Sequence, residues 1–463
     1  MPYTSVKESP QIPFTNINKA IGKYRWTICS LLFFATTINY LDRAVISLLK
    51  AELEVKFKWS ESDYANIVIA FQLSYAFGML VAGRFIDKTG TKIGYAVSLI
   101  LWSLASIGHA AVKSTVGFLI ARAALGFSEA GNFPAAIKTT AEWFPRKERA
   151  FATGIFNSGS NIGAILAPLT VPFIATKWGW QWAFIITGSF GLIWLIFWFL
   201  LYEIPSRQKR LSNEEYNYIH SDLDEKNTHL HTYNNISTDS EPIEKISWFT
   251  LLQYKQTWAF VLGKFLTDPV WWFYLFWLPA FLKAQYSLGG TAVALPLALV
   301  YIMSTIGSVG GGWLPMHFIK NNWPVFRARK ISMLIYALLV IPVIFAQMMG
   351  AVNMWLAVIT IGLAAAAHQA WSANIFTMVS DMFPKNKVAS VTGIGGMAGA
   401  LGGILIAVLA GKLFDNYKAL GKIETGYYIM FTICSCTYLL AWIIMHFLAP
   451  KMERIYFKQK NEI

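Results

Sequence analysis

Gly83-Arg84-Phe85-Ile86-Asp87-Lys88-Thr89-Gly90-Thr91-Lys92 joins two apolar runs, Ala65 to Ile86 and Ile93 to Val112. Each run has about the 20 residues that a helix needs to cross the hydrocarbon core of a bilayer. Linked by so short a polar turn, they read as a helical hairpin that leaves the membrane and re-enters it on one face. The glycines permit a sharp reversal, and Asp87 is placed to cap the N-terminus of a neighbouring helix while cations hold its other side.

Outward from this hairpin the same alternation continues along the chain. Further apolar runs extend approximately over Arg25 to Leu49, Val116 to Trp143, Ala150 to Ala175, Trp182 to Tyr202, Trp258 to Phe281, Ala292 to Trp313, Ile331 to Met349, Met354 to Met378, Val391 to Leu413 and Tyr427 to Leu448. Twelve spans in all would use roughly 240 residues, about half of a 463-residue chain. The composition agrees, with 55% hydrophobic and only 14% charged residues, where a soluble domain carries roughly 25% charge. This balance excludes a disordered protein, a secreted disulfide scaffold and a cytosolic enzyme with a single anchor. Cys29, Cys434 and Cys436 fall inside apolar runs and read as small packing residues. The expected fold is an all-α polytopic membrane protein with twelve transmembrane helices.

If the runs alternate sides, both termini and every even-numbered gap share one face. Nine of the eleven arginines lie at that face and none at the other, leaving Arg43 and Arg122 inside spans. The positive-inside rule then makes it the cytoplasmic face of the cell (inner) membrane, and it accounts for the net charge of +14 without nucleic acid. The longest polar stretch divides the chain into two bundles of six. The expected organisation is a cytoplasmic tail over 1–23, a first bundle over 24–203, a cytoplasmic linker over 204–250, a second bundle over 251–449 and a cytoplasmic tail over 450–463. Within the linker, Ser212 is a candidate N-cap for a short helix, His220, His229 and His231 read as solvated, and Asn235-Ile236-Ser237 is a sequon on the wrong side of the membrane.

The halves are related. Shifting the sequence by 239 positions lays Glu142-Trp143-Phe144-Pro145 over Asp381-Met382-Phe383-Pro384, Ala150 over Ala389 and Gly154 over Gly393. Self-similar halves are expected of a transporter with its site at their interface.

Four charges are buried in the first half: Asp42 and Arg43 in run one, Arg122 and Glu129 in run four. Each costs roughly 2.5 to 3.5 kcal/mol at mid-membrane, so they must face one another or a wet cavity. Arg122 and Glu129 share a helix face nearly two turns apart, with Gly126 between them leaving room for a partner. Asp42 and Arg43 lie about 100° apart and address two directions, with Asn39 one turn before Arg43 on its face. Such residues suit an anion clasp beside carboxylates that carry protons, a reading preferred to two structural ion pairs between runs one and four because apolar packing would be the cheaper glue. Tyr75 is mid-span in run two, where its hydroxyl meets either a ligand or ordinary packing. The amides and hydroxyls of Asn157, Ser158, Ser160 and Asn161 in run five read sugar hydroxyls or glue helices. In the second half, Trp271, Trp272 and Tyr274 offer a face for a pyranose, with Trp272 preferred, or ordinary packing. In run ten, Ser372 and Asn374 are candidate hydroxyl readers beside His368 and Gln369. Asp268, before Pro269, reads as a cap or as a structural partner of Lys264 one turn earlier. No nucleophile-base set or metal-ligand spacing is present, so neither an enzyme nor a cofactor is expected.

The loop Gly83 to Lys92 resembles the signature loop of the major facilitator superfamily. Its counterpart, Gly311-Gly312-Trp313-Leu314-Pro315-Met316-His317, has Met316 where the acid usually stands, so a symmetric latch is not expected. Asn39-Tyr40-Leu41-Asp42-Arg43, Ser128-Glu129-Ala130-Gly131-Asn132-Phe133-Pro134, the two Phe-Pro motifs, and Lys264 to Tyr274 are similar to bacterial hexuronate transporters of the anion:cation symporter family, over nearly all of Tyr24 to Leu448. The resemblance implies Arg43, Arg122 and Tyr75 as substrate-anion contacts and Asp42 and Glu129 as proton-coupling acids. With Asn39, Asn161, Trp272, Ser372 and Asn374 they form the expected substrate site, and Gly83, Asp87 and Gly90 the expected cytoplasmic gate. The expected activity is proton-coupled uptake of glucuronate or galacturonate by a monomer in a lipid bilayer. A carrier of galactonate, a glucarate-like acid or another carboxylate, coupled to protons or sodium, is the alternative, and a non-transporting nutrient sensor a remote one.

Overall fold

The computed structural model describes residues 22–221, 247–288 and 293–455. His229, His231 and the sequon at Asn235 lie outside the described residues, as do most of both tails and of the linker. Among the described residues all regular structure is helical: α1 (Tyr24–Leu48), α2 (Lys50–Phe57), α3 (Glu61–Thr89), α4 (Thr91–Gly108), α5 (Thr115–Glu129), α6 (Asn132–Trp143), α7 (Arg146–Trp178), α8 (Trp180–Leu201), α9 (Asn213–His220), α10 (Trp248–Leu251), α11 (Lys255–Tyr286), α12 (Ala294–Lys320), α13 (Val325–Val340), α14 (Ala346–Val352), α15 (Met354–Met382), α16 (Val388–Ala419) and α17 (Ile423–Leu448).

Ten of the described helical segments are long and apolar enough to cross a membrane. The two other expected spans depart for different reasons: run four is divided into helices of 15 and 12 residues, each too short to cross alone, and run seven is the charged, tryptophan-rich α11. Run four is broken at Ala130 and Gly131 into α5 and α6, which hold Arg122, Glu129 and Lys138, and α11 holds Lys264 and Asp268. Charge lowers their apolarity, and burial inside the bundle makes it tolerable. Run nine is continued from α13 to α14 by a 3-10 segment, Ile341–Phe345, where Pro342 supplies no backbone donor. The outward surface is rich in large apolar side chains such as Phe77, Ile120, Leu200 and Ile306, as a bilayer requires.

The halves meet along α3 with α16 and along α7 with α12. Both seams are built by glycines against carbonyls. A Cβ on Gly83 would strike the Ala389 carbonyl and one on Gly393 that of Met79; in the other seam Gly312 faces the Ala150 carbonyl and Gly154 that of Ser308. These positions repeat with the internal symmetry of the sequence, so the 239-residue offset that pairs Ala150 with Ala389 and Gly154 with Gly393 has a physical cause. Side chains larger than hydrogen would hold the backbones apart.

The same end of the bundle carries most of the arginines. Asp87 accepts hydrogen bonds from the backbone N–H of Ser390 (2.7 Å) and Ala389 (3.3 Å) in the first turn of α16, while Lys138 Nζ approaches its Oδ1 at 3.0 Å. Sequence had placed such a cap here; a carboxylate at a helix N-terminus satisfies donors that the helix leaves free. Gly90, at φ +82°, supplies the left-handed turn before α4. No equivalent capping acid stands at Met316, and the second seam is charged differently: Asp381 receives Arg329 Nε (3.1 Å) and Arg149 Nη1 (3.5 Å), one arginine from each half. α9 of the linker also belongs to this end. Its Glu215 accepts from the backbone N–H of Tyr24 and Arg25 at 3.0 Å each, capping α1, and Arg25 reaches Glu148 of α7 at 2.8 Å.

Substitution of Gly83 by Val places a branched side chain on the Ala389 carbonyl. With helical content unchanged by circular dichroism, a cysteine introduced at buried Thr153, on a Cys436→Ser background, is expected to react with a membrane-impermeant thiol reagent several-fold faster than without the Gly83 change. Equal reactivity would show that the glycine seam does not close this end.

Candidate functional site

Halfway along the bundle the seams part around a cavity of about 590 Å³, its mouth included, lined from both halves. From the first half come Tyr40 and Arg43 of α1, Tyr75 and Met79 of α3, Phe133 of α6, and Asn157 and Ser160 of α7. From the second come Lys264, Asp268, Trp271 and Trp272 of α11, His368, Gln369, Ser372 and Phe376 of α15, and Gly396 and Ala400 of α16.

Arg43 is fixed on several sides. Its Nε donates to Glu129 Oε2 at 3.1 Å, Nη2 lies 3.1 Å from the same oxygen, and Nη2 also donates to Asn39 Oδ1 at 3.3 Å. The guanidinium rests against the rings of Tyr40 (4.6 Å), Tyr75 (4.8 Å) and Phe71 (5.1 Å). Glu129 is fully buried behind it and does not line the cavity. The partner that Gly126 admits is the backbone of Phe71, whose ring has two guanidiniums near it, Arg43 at 5.1 Å and Arg122 at 4.6 Å from its centre. Arg122 stands outside the lining. It donates to the Arg43 carbonyl at 3.3 Å, and its Nε and Nη1 have no hydrogen-bond partner among the described residues. Glu129 is ion-paired to Arg43 across the helices and not to Arg122 along its own.

Asp42 turns the other way, as its offset from Arg43 predicts, and accepts a hydrogen bond from Ser106 Oγ of α4 at 3.0 Å. Across the cavity the wall is aromatic and amide-rich. Trp271 stacks on His368 at 5.1 Å, and His368 shares a hydrogen bond with Tyr438. Asn157 donates to Gln369 Oε1 at 2.7 Å and to Ser308 Oγ at 3.2 Å, tying the halves at the cavity floor. Asn161, one turn further along, accepts from Gln369 at 3.5 Å and does not line the space. Trp272 does line it, in room left by Gly403 of α16.

Ser372 lines the cavity, whereas Asn374 lies about 200° round α15 and donates to the carbonyls of Gly311 (2.7 Å) and Ala370 (2.9 Å). Lys264 and Asp268 form the expected i,i+4 pair at 2.7 Å, but in the lining itself. Tyr40, Met79 and Phe376 were not singled out by sequence. Each lies three or four residues from a lining residue, Arg43, Tyr75 and Ser372, so helical spacing carried the signal. No group of three or more potential metal ligands occurs among the described residues.

The geometry separates two substitutions in neighbouring polar positions. Trp272→Ala should weaken sugar-acid binding at least tenfold with little change in melting temperature. Asn374→Ala should lower the melting temperature by several degrees and leave affinity within about twofold. Fluorescence or scintillation binding beside thermal unfolding in detergent reads both, and the opposite pattern would place Asn374 in the site.

The sequence profile of the Major Facilitator Superfamily matches residues 32–407. The chain is 33% identical over 402 residues to the hexuronate transporter of Escherichia coli strain K12, covering 86% of this chain and 89% of that one. It is 35% identical over 318 residues to the galacturonate transporter of Dickeya chrysanthemi, covering 68% and 89% respectively. Among solved structures, the proton:xylose symporter XylE bound to 6-bromo-6-deoxy-D-glucose superposes with a TM-score of 0.72 at 17% identity, over 93% of this chain and 97% of that one. An all-helical bundle with ten described segments able to cross a membrane, a cavity shared by two related halves and this depth of identity together make the chain a multi-pass membrane protein that belongs to the Major Facilitator Superfamily, as one of its sugar-acid transporters.

Proposed function

We propose that the protein is a proton-coupled symporter that carries a hexuronate, glucuronate or galacturonate, by alternating access. The observation that carries the reading is Arg43: a guanidinium in the cavity wall whose counter-ion, Glu129, lies behind it and away from the cavity. An arriving carboxylate finds paired donors, and the aromatic and amide wall opposite suits a hydroxylated ring. The names of the relatives from Escherichia coli and Dickeya chrysanthemi support a hexuronate as that ligand.

Coupling follows from competition for one cation. When a substrate carboxylate takes the Arg43 guanidinium, Glu129 is left in an enclosed site without its counter-charge, and a proton restores neutrality. By linkage, a protonated Glu129 releases Arg43 to substrate. A singly charged anion moving with one proton adds no net charge to the carrier, which lowers the cost of crossing the membrane. Asp42, on the far side of α1, is the second proton-carrying acid, and Arg122 and Tyr75 complete the anion site from behind and beside Arg43, with Asn39 orienting the guanidinium. In this reading the termini and linker are cytoplasmic, the membrane is the inner membrane and the monomer is the working unit. The domains are 24–203 and 251–449, and Gly83, Asp87 and Gly90 belong to the gate on the cytoplasmic side.

Arg43→Lys keeps the charge and loses the fork. Hexuronate affinity is expected to fall at least tenfold, a loss of about 1.4 kcal/mol; normal affinity in the folded variant would remove the anion clasp. In proteoliposomes, unlabelled glucuronate or galacturonate should compete with labelled hexuronate far better than glucose does. Stronger competition by galactonate would move the substrate to another sugar acid, and uptake driven by an imposed sodium gradient but not by pH would replace the coupling ion. Glu129→Gln should still exchange substrate in counterflow yet fail to concentrate it under a pH gradient, with Asp42→Asn measured alongside. If both variants concentrate substrate like the parent, neither acid carries the proton.

A further inference from the structure

The cavity contains a second charged element that the preceding mechanism leaves unused. Lys264 Nζ lies 2.7 Å from Asp268 Oδ2, and both residues belong to the lining. They sit one turn apart on α11, so the pair is set by one helix and does not depend on how the halves approach. Lys264 is held on a second side by the ring of Phe376, 4.1 Å from its Nζ. Gly399 of α16 leaves the space that the carboxylate fills. The two members are unequally covered, the Lys264 side chain being 5% exposed and that of Asp268 19%. The cavity therefore meets a neutral pair through its acidic member.

Such a pair is matched to a particular ligand end. With one carboxylate on Arg43, the other end of a uronate presents neutral hydroxyls. A hydroxyl can donate to Asp268 and accept from Lys264 without disturbing their bond. A sugar diacid would instead bring a second carboxylate against an accessible carboxylate in an enclosed space, where like charges repel strongly. We propose that the Lys264–Asp268 pair sets substrate class, admitting a sugar mono-acid through its hydroxylated end and excluding the corresponding diacid. The proposal rests on the sugar-acid site described above and deepens it.

The test compares galacturonate with galactarate, which share a carbon skeleton but differ at C1, a hemiacetal closing a ring in the first and a carboxylate on an open chain in the second. The change of their ratio between parent and variants isolates the charge, because the ring-to-chain difference is common to all of them. Each competes with labelled galacturonate for binding to the purified full-length protein. The parent is expected to need at least tenfold more galactarate than galacturonate for half-displacement. Asp268→Asn, which removes the accessible negative charge, should lower that ratio at least tenfold, whatever the lost hydroxyl contact costs galacturonate, because the ratio is taken within each variant. Because this variant leaves Lys264 buried without an acid, the double substitution Lys264→Gln with Asp268→Asn is made in parallel; it leaves no charge unpaired and should also lower the ratio several-fold. A parent that accepts both acids equally, or a folded variant of either kind that keeps the parental ratio, overturns the proposal. Failure of galacturonate to bind the parent would count against the hexuronate reading instead. The comparison of galactonate with galactarate then tests the pair independently.

Discussion

A guanidinium inside a bilayer has to be neutralised where it stands, and the architecture of the first half follows from that constraint around Arg43. Its counter-ion cannot come from the cavity, which must stay open to ligand. Glu129 therefore approaches from behind, from the last residue of α5, and its carboxylate reaches the guanidinium at 3.1 Å. Gly126, one turn earlier, lets the Phe71 backbone into the same space, and both Arg43 and Arg122 rest against the Phe71 ring. An ionic contact and a shared aromatic ring thus hold two cations near one site. Burying such a pair is not a cheap way to hold helices together, since apolar packing does as well or better.

Much of this was legible in the chain, and the parts that were not share a cause. Periodic apolarity located the spans, and the glycine-acid-glycine turn anticipated that Asp87 would cap a neighbouring helix. The i,i+4 spacing of Lys264 and Asp268 gave their pairing, and the 100° between Asp42 and Arg43 gave their opposite orientations. What spacing along one helix cannot give is the rotation of that helix against its neighbours. The partner of Glu129 lies on α1 and not on α5, and Lys264 and Asp268 turn into the cavity, because both facts are decided between helices. Ser372 and Asn374 are a different case: two residues apart on a helix they cannot both face one cavity, and geometry alone could have chosen between them once one was placed.

The second half solves its own charge problem differently. Its lining cation and acid belong to the same helix and neutralise each other before any contact with α1 is made. The first half thus keeps a cation whose partner comes from another helix, and the second keeps a self-contained pair. This asymmetry is superimposed on seams that are nearly symmetric, where Gly83 and Gly312, and Gly393 and Gly154, perform the same task. Duplicated backbone contacts with diverged side chains give the halves equivalent contact surfaces while they present unlike chemistry to the cavity.

The cap on α1 has a consequence for biosynthesis. The residue that satisfies the N–H groups of Tyr24 and Arg25 is Glu215, which follows Tyr24 by 191 positions. A ribosome therefore finishes all six membrane crossings of the first half before it makes the carboxylate that secures the first of them. Until α9 emerges, the first N–H groups of α1 lack this carboxylate, and Arg25 has Glu148 and the Gly22 carbonyl but not Glu215. The short helix after the sixth crossing is in this sense the last piece of the first half to be made, although it lies outside the membrane. A gene severed directly after Tyr202 would encode an unfinished half, and one severed after α9 a half with its opening helix secured.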